Sequence, residues 1–167
     1  MSALCPRVYV ERIAAKRFAE VILQPYAVEI IDGGTSSGAI SKAMGSLLDN
    51  PEQPVAVLLD GPSGTSREIA EERATIKRLL ARAALEGWYV ALAIPRLDAW
   101  AMTDPRIKQD FESFQHGKAS YQDRSLRIGE LIKRHPFDPS ELYRSNADFK
   151  GLVEFLQKHS PVPTTGS

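Results

Sequence analysis

Val55-Ala56-Val57-Leu58-Leu59-Asp60 is an unbroken apolar run closed by an acid. A strand with one wet face alternates apolar and polar residues. A run this uniform is expected only where helices cover both sheet faces, as in parallel α/β sheets. Two neighbours read the same way: Arg7-Val8-Tyr9-Val10 ends at Glu11, and Tyr89-Val90-Ala91-Leu92-Ala93-Ile94-Pro95 is followed by Asp98. A fourth strand, Ala27 to Ile31, is stopped by Asp32-Gly33-Gly34. If these strands are parallel, Glu11, Asp60 and Asp98, with Asp32 beside them, meet at the rim where open α/β sheets bind ligands. Converging carboxylates repel unless a cation lies between them, so a hard divalent metal is the first expectation.

Helical periodicity fills the intervals. Ala14, Phe18, Val21 and Ile22 share one face of a helix from Ile13 to Leu23, and a second helix runs from Ser36 or Ser37 to Leu48 before Asn50-Pro51. The third is the best marked. Thr65 and Glu68 have capping-box spacing, Ile69, Ile76, Leu80 and Ala83 form the apolar stripe, and Gly87 supplies the stop. Glu71, Glu72, Arg73, Lys77 and Arg78 read as its solvated face. Beyond Pro95, Leu97 to Met102 reads as a short helix, with later helices at about Tyr121 to Lys133 and Ala147 to His159. Asp104 to Ser120 fits a helix or an ordered loop.

This order predicts a three-layer α/β/α fold with a mainly parallel four-stranded sheet and C-terminal helices packed on one side. The expected organisation is one domain over residues 1–160, with its core at about 7–104, a helical extension at about 105–160 and a tail over 161–167. A length of 167 residues, 43% hydrophobic and 25% charged, suits a soluble globular domain. The net charge of zero carries no global signature of nucleic-acid binding, though a local basic face is compatible with it. The single Cys5 excludes an internal disulfide and fits a reducing cytoplasm. No signal-peptide segment is read at the N-terminus, and no apolar stretch approaches the ~20 residues of a membrane helix.

Two loops have partial phosphate-binding patterns. Asp60-Gly61-Pro62-Ser63-Gly64-Thr65 begins like a P-loop, but Ser66 occupies the second glycine position and no Lys follows. Gly33 to Gly38 has the glycine spacing, but Ala39 and Ile40 replace the Lys and the hydroxyl. Ordinary strand-to-helix turn chemistry accounts for both, although either could present backbone N–H groups to an anion. The acids likewise have two readings, as metal ligands or as residues favouring the next helix's dipole. Ser63 lacks the G-x-S-x-G context of a nucleophile, and His116, His135 and His159 stand in polar surroundings. Trp100 reads as core, with base stacking as the alternative.

Tyr9-Val10-Glu11, Val57-Leu58-Leu59-Asp60 and Ile94-Pro95-Arg96-Leu97-Asp98-Ala99-Trp100 together resemble the TOPRIM domain, in its small stand-alone and OLD-nuclease-like forms. Those members read v-v-E-G, D-x-D and P-x-I-E-A-W at these places, and Ile31 to Ser41 is similar to their strand-two turn. The resemblance spans about residues 7 to 104. It implies Mg²⁺- or Mn²⁺-dependent nicking, joining or synthesis of nucleic-acid strands. Glu11 would then be the acid/base or a metal ligand, Asp60 the first acid of the paired motif, and Asp98 the stand-in for Glu. Arg12, Arg67, Arg96 and Lys108 would contact phosphates, and Ser63 would offer a neutral oxygen.

Three residues depart from the pattern. Pro62 replaces the second Asp, Arg12 replaces the Gly after the first Glu, and Asp98 is one methylene shorter than Glu. Two alternatives therefore stand beside the nuclease reading. One is a catalytically eroded TOPRIM fold that binds a partner; the other is a small-molecule phosphate or nucleotide binder. A protein partner such as an ATPase is a further candidate, and whether a partner subunit supplies the missing acid or an ATPase motor is not legible in the sequence.

Overall fold

The structure is a computed structural model, and it describes residues 5–61, 64–94, 97–114 and 136–159. Along the chain come β1 (Arg7–Val10), α1 (Ile13–Ile22), β2 (Glu29–Asp32), α2 (Ser36–Asp49), β3 (Val55–Asp60) and α3 (Ser66–Ala83). They are followed by β4 (Trp88–Ala93), α4 (Leu97–Ala101), α5 (Pro105–Phe114), α6 (Ser140–Ser145) and α7 (Ala147–Lys158). The strands form one sheet in the order β2-β1-β3-β4, and every pairing is parallel. Helices cover both faces, so the fold is the expected three-layer α/β/α arrangement with C-terminal helices.

Strand periodicity divides the core in two. Val8, Val10, Ala56, Leu58, Ala91 and Ala93 point to one face, where they meet Phe18 and Ile22 of α1, Trp100 of α4 and Phe149 and Leu152 of α7. Tyr9, Val55, Val57, Leu59, Val90 and Leu92 point to the other, against Ala39, Ala43 and Leu47 of α2 and Ile76 and Leu80 of α3. Residues 55–59 of β3 are all buried, which is why their sequence shows no alternation. The register sets Val10 beside Asp32 on one side and Leu58 on the other, so the C-terminal ends of β1, β2 and β3 share one rim.

Some elements differ from their sequence reading. β2 starts at Glu29 rather than Ala27 and includes Asp32, because its register against β1 begins at Arg7. α3 stops at Ala83, with Ala84 already extended at φ −157°, ψ 147°. Gly87 instead turns the chain into β4, at φ +87°. α5 makes the first part of the Asp104–Ser120 stretch helical, and α6 is a turn of helix the periodicity did not reveal. Arg73 is not a solvated charge: it pairs with Asp148 of α7. The expected helix at Tyr121 to Lys133 and the tail over 161–167 lie outside the described residues, as do Pro62, Ser63, Arg96, His116 and His135. No described helix is long and apolar enough to cross a membrane.

Candidate functional site

The strand order places a topological switch point between β1 and β3. From β1 the chain crosses by α1 toward β2; from β3 it crosses by α3, on the opposite face, toward β4. The two connections diverge and leave a crevice beyond the strand ends. Glu11 is the residue after β1 and Asp60 the last residue of β3, so they flank that crevice.

Glu11 is 8% exposed, and its carboxylate has defined partners. The Ser36 hydroxyl donates to Oε2 at 2.6 Å, and the Asp60 backbone N–H donates to Oε1 at 3.4 Å. The Arg12 guanidinium, half exposed, lies 3.9 Å from Oε1. Asp60 Oδ1 accepts the Leu97 backbone N–H at 2.7 Å, which joins the end of β3 to the start of α4. Pleat alternation explains the different partners. Glu11 follows Tyr9 onto the α2 side of the sheet, whereas Asp60 follows Leu58 onto the α4 side.

The other expected residues are placed as follows. Asp32 Oδ1 accepts the Gly34 N–H at 2.8 Å, so this acid serves its own turn. For Asp98 the described part is the backbone, which makes it the second residue of α4 rather than a strand-end residue. Arg67 is exposed in the first turn of α3 and pairs with Glu71 at 3.1 Å. Lys108 is exposed on α5. Trp100 is 2% exposed and meets Phe149 edge-on at 5.6 Å, so it is a core residue and its ring is not presented for stacking. His159 lies against Phe155, and burial pushes its pKa down.

Close packing explains the glycine loops. A Cβ at Gly33 would stand 2.4 Å from the Cα of Ala39, and one at Gly38 would stand 2.1 Å from the Gly33 carbonyl oxygen. Thr35 caps α2 by accepting the Gly38 N–H at 2.8 Å. A Cβ at Gly61 would stand 2.4 Å from Cγ1 of Ile94, while the Gly61 N–H donates to the Ala93 carbonyl at 2.7 Å. Each glycine is where backbone passes close to its neighbour, without an anion being required.

Mg²⁺ is commonly held by one or two carboxylates together with substrate phosphate oxygens and water. Glu11 and Asp60 are hard oxygen donors at the same rim, but their side chains leave the sheet on opposite faces, and the contact between the two residues runs through the Asp60 backbone N–H rather than its carboxylate. Among the described residues no group of three or more His, Cys, Asp or Glu is placed to enclose a metal.

Sequence reasoning missed Ser36. Its signal was available: a hydroxyl at the first position of the helix that follows the Gly33-Gly34 turn. In comparisons with known proteins, the chain matches no family model and no curated protein significantly.

Proposed function

We propose that the rim at the β1/β3 switch point is a divalent-cation-assisted site for phosphodiester chemistry on nucleic acid, of the TOPRIM type. The observation that carries this reading is the meeting of Glu11 and Asp60, 49 residues apart in sequence, through the Asp60 N–H on the Glu11 carboxylate. Mg²⁺ or Mn²⁺ would be held by these two acids, with Asp98 as the third candidate. When bound, such a cation supplies Lewis-acid charge to a phosphodiester and lowers the pKa of a water. Glu11 is then the group that takes or returns a proton at its Oε1–Oε2 carboxylate, and Asp60 fixes the start of α4 beside the crevice. Arg12, half exposed next to Glu11, adds positive charge where a phosphate would approach. Arg67 and Lys108, exposed on α3 and α5, and Arg96 are the further candidates for backbone contacts.

A second reading is favoured by a specific observation. Both Glu11 oxygens and Asp60 Oδ1 already accept protein hydrogen bonds, and Pro62 stands where the family has its second acid. That arrangement suits an eroded site whose fold now serves to bind a partner. Thermal melting with millimolar Mg²⁺ or Mn²⁺ separates the two, because a ligand of the folded state must raise the midpoint. The metal reading expects a rise that Asp60→Asn abolishes, together with plasmid nicking that requires the cation. No rise at any concentration favours the binding module.

A further inference from the structure

We infer that Ser36 is the positioning residue for Glu11, and that the glycine turn before it serves to hold Ser36 in place. This rests on the reading of Glu11 as a working carboxylate of the rim. A carboxylate only accepts, so the 2.6 Å contact is a charge-assisted hydrogen bond from the Ser36 hydroxyl to Oε2. That hydroxyl has no capping duty, because Thr35 already caps α2. Ser36 is exposed, whereas the carboxylate it holds is buried. The bond to a buried charged group also fixes where Glu11 points.

The turn is built to a fixed shape. Gly33 N–H donates to the Val10 carbonyl at 2.7 Å, which registers the turn against the residue preceding Glu11. Neither Gly33 nor Gly38 has room for a Cβ, since Ala39 and the Gly33 carbonyl occupy that space. Ser36, between these glycines, is therefore set relative to the end of β1 by close backbone contacts, together with Asp32 Oδ1 on the Gly34 N–H and Thr35 Oγ1 on the Gly38 N–H. Its hydroxyl holds Oε2 while the longer Asp60 N–H contact holds Oε1. Without it, the carboxylate keeps the Asp60 N–H at 3.4 Å and the Arg12 guanidinium at 3.9 Å, both on Oε1, and loses the contact that fixes Oε2.

Two readouts on the full chain test this, in Ser36→Ala and Ser36→Thr variants. The first is the amide resonance of Asp60 in a ¹⁵N-labelled sample, which reports the Glu11 contact with no metal present. The second is Mn²⁺ affinity from water-proton relaxation. Ser36→Ala is expected to move the Asp60 resonance and weaken Mn²⁺ binding about 10-fold, as the loss of an outer-shell partner does. Ser36→Thr, which keeps the hydroxyl at an exposed position, is expected to restore both. If the native chain binds no Mn²⁺ but the Asp60 resonance moves with Ala and returns with Thr, the metal reading fails while the hold of Ser36 on Glu11 stands. An Asp60 resonance unchanged in Ser36→Ala, or changed and not restored by Thr, overturns the inference.

Discussion

The Asp148 carboxylate closes an open edge of the sheet: its Oδ2 accepts the backbone N–H of Leu92 at 2.9 Å. β4 is an edge strand of the described sheet, and Leu92 N–H points away from β3, where no further strand among the described residues supplies an acceptor. Arg73 of α3 donates to both oxygens of the same carboxylate, through Nη1 to Oδ2 and through Nη2 to Oδ1 at 3.0 Å. One acid thus joins α7, α3 and β4, tying together helices from both layers.

Asp148→Ala removes an acceptor from a strand N–H and leaves Arg73 without its counter-charge. The pair is only partly exposed, at 25% for Arg73 and 18% for Asp148. The expected loss is about 2–4 kcal/mol, between exposed and fully buried pairs. Arg73→Ala leaves the Leu92 bond in place and should cost less, about 1–2 kcal/mol. Urea unfolding of the two variants checks the order. An Arg73→Ala loss equal to or greater than that of Asp148→Ala contradicts the edge-closing role.

The two glycines of α2, Gly38 and Gly45, give a sharper contrast. Gly38→Ala places a Cβ 2.1 Å from a backbone oxygen, and backbone cannot swing aside as a side chain does. It is expected to destabilise by on the order of 3 kcal/mol or more. Gly45 lies within α2 with nothing within 4 Å of its Cβ position. Gly45→Ala should therefore stabilise by about 0.5–1 kcal/mol through helix propensity. Paired melting curves decide it, and equal shifts in both variants would show that packing does not distinguish these glycines.

These contacts mark how far the sequence is readable. β3 was legible because burial on both faces leaves a continuous apolar run, and Glu11 and Asp60 followed as the acids at two such run ends. Thr65 and Glu68 were legible because a cap is local: Thr65 accepts the Glu68 N–H at 3.2 Å. Arg73 was not, because its partner Asp148 lies 75 residues away and a helix face rich in charge looks solvated whichever member is paired. The glycine spacing at Gly33–Gly38 was visible, but its cause was a close approach in three dimensions. Short α6 escaped because about six residues carry too little periodicity to detect.

Gly151 and Tyr89 form a second tie between α7 and β4. A Cβ at Gly151 would lie 1.9 Å from the Tyr89 hydroxyl oxygen and 2.7 Å from Cζ. Tyr89 also stacks on Phe155, one turn further along α7, at 6.0 Å. Gly151→Ala in an open helix would be favourable; here overpacking should make it unfavourable by about 1–3 kcal/mol. Truncating the ring removes the clash, so in a Tyr89→Ala background the same change should cost nothing or stabilise. A double-mutant cycle by urea unfolding measures this coupling, and simple additivity would argue that α7 sits differently on β4.

Acid sensitivity follows from Asp104. Its side chain is 1% exposed. Burial pushes its pKa up, but hydrogen bonds from the backbone N–H groups of Asp138 and Arg106, at 3.0 Å each, and the Arg106 guanidinium outweigh this. The carboxyl is therefore held below its ordinary value in the folded chain. A depressed folded-state pKa contributes stability above the unfolded value of about 4, and this is lost as pH falls through the folded value. The neighbouring Asp138 is lowered as well, chiefly by the Ser140 hydroxyl, so it adds to the same acid limb. Asp104→Asn keeps the shape but has one acceptor oxygen for two N–H donors, and sets an NH₂ against one of them. It should cost about 1–3 kcal/mol at neutral pH. Protonating native Asp104 removes the same charge, so the difference between the two proteins should shrink as pH falls below about 4. Urea midpoints at neutral and acid pH test this, and a difference that stays constant or widens on acidification would rule out Asp104 as the source.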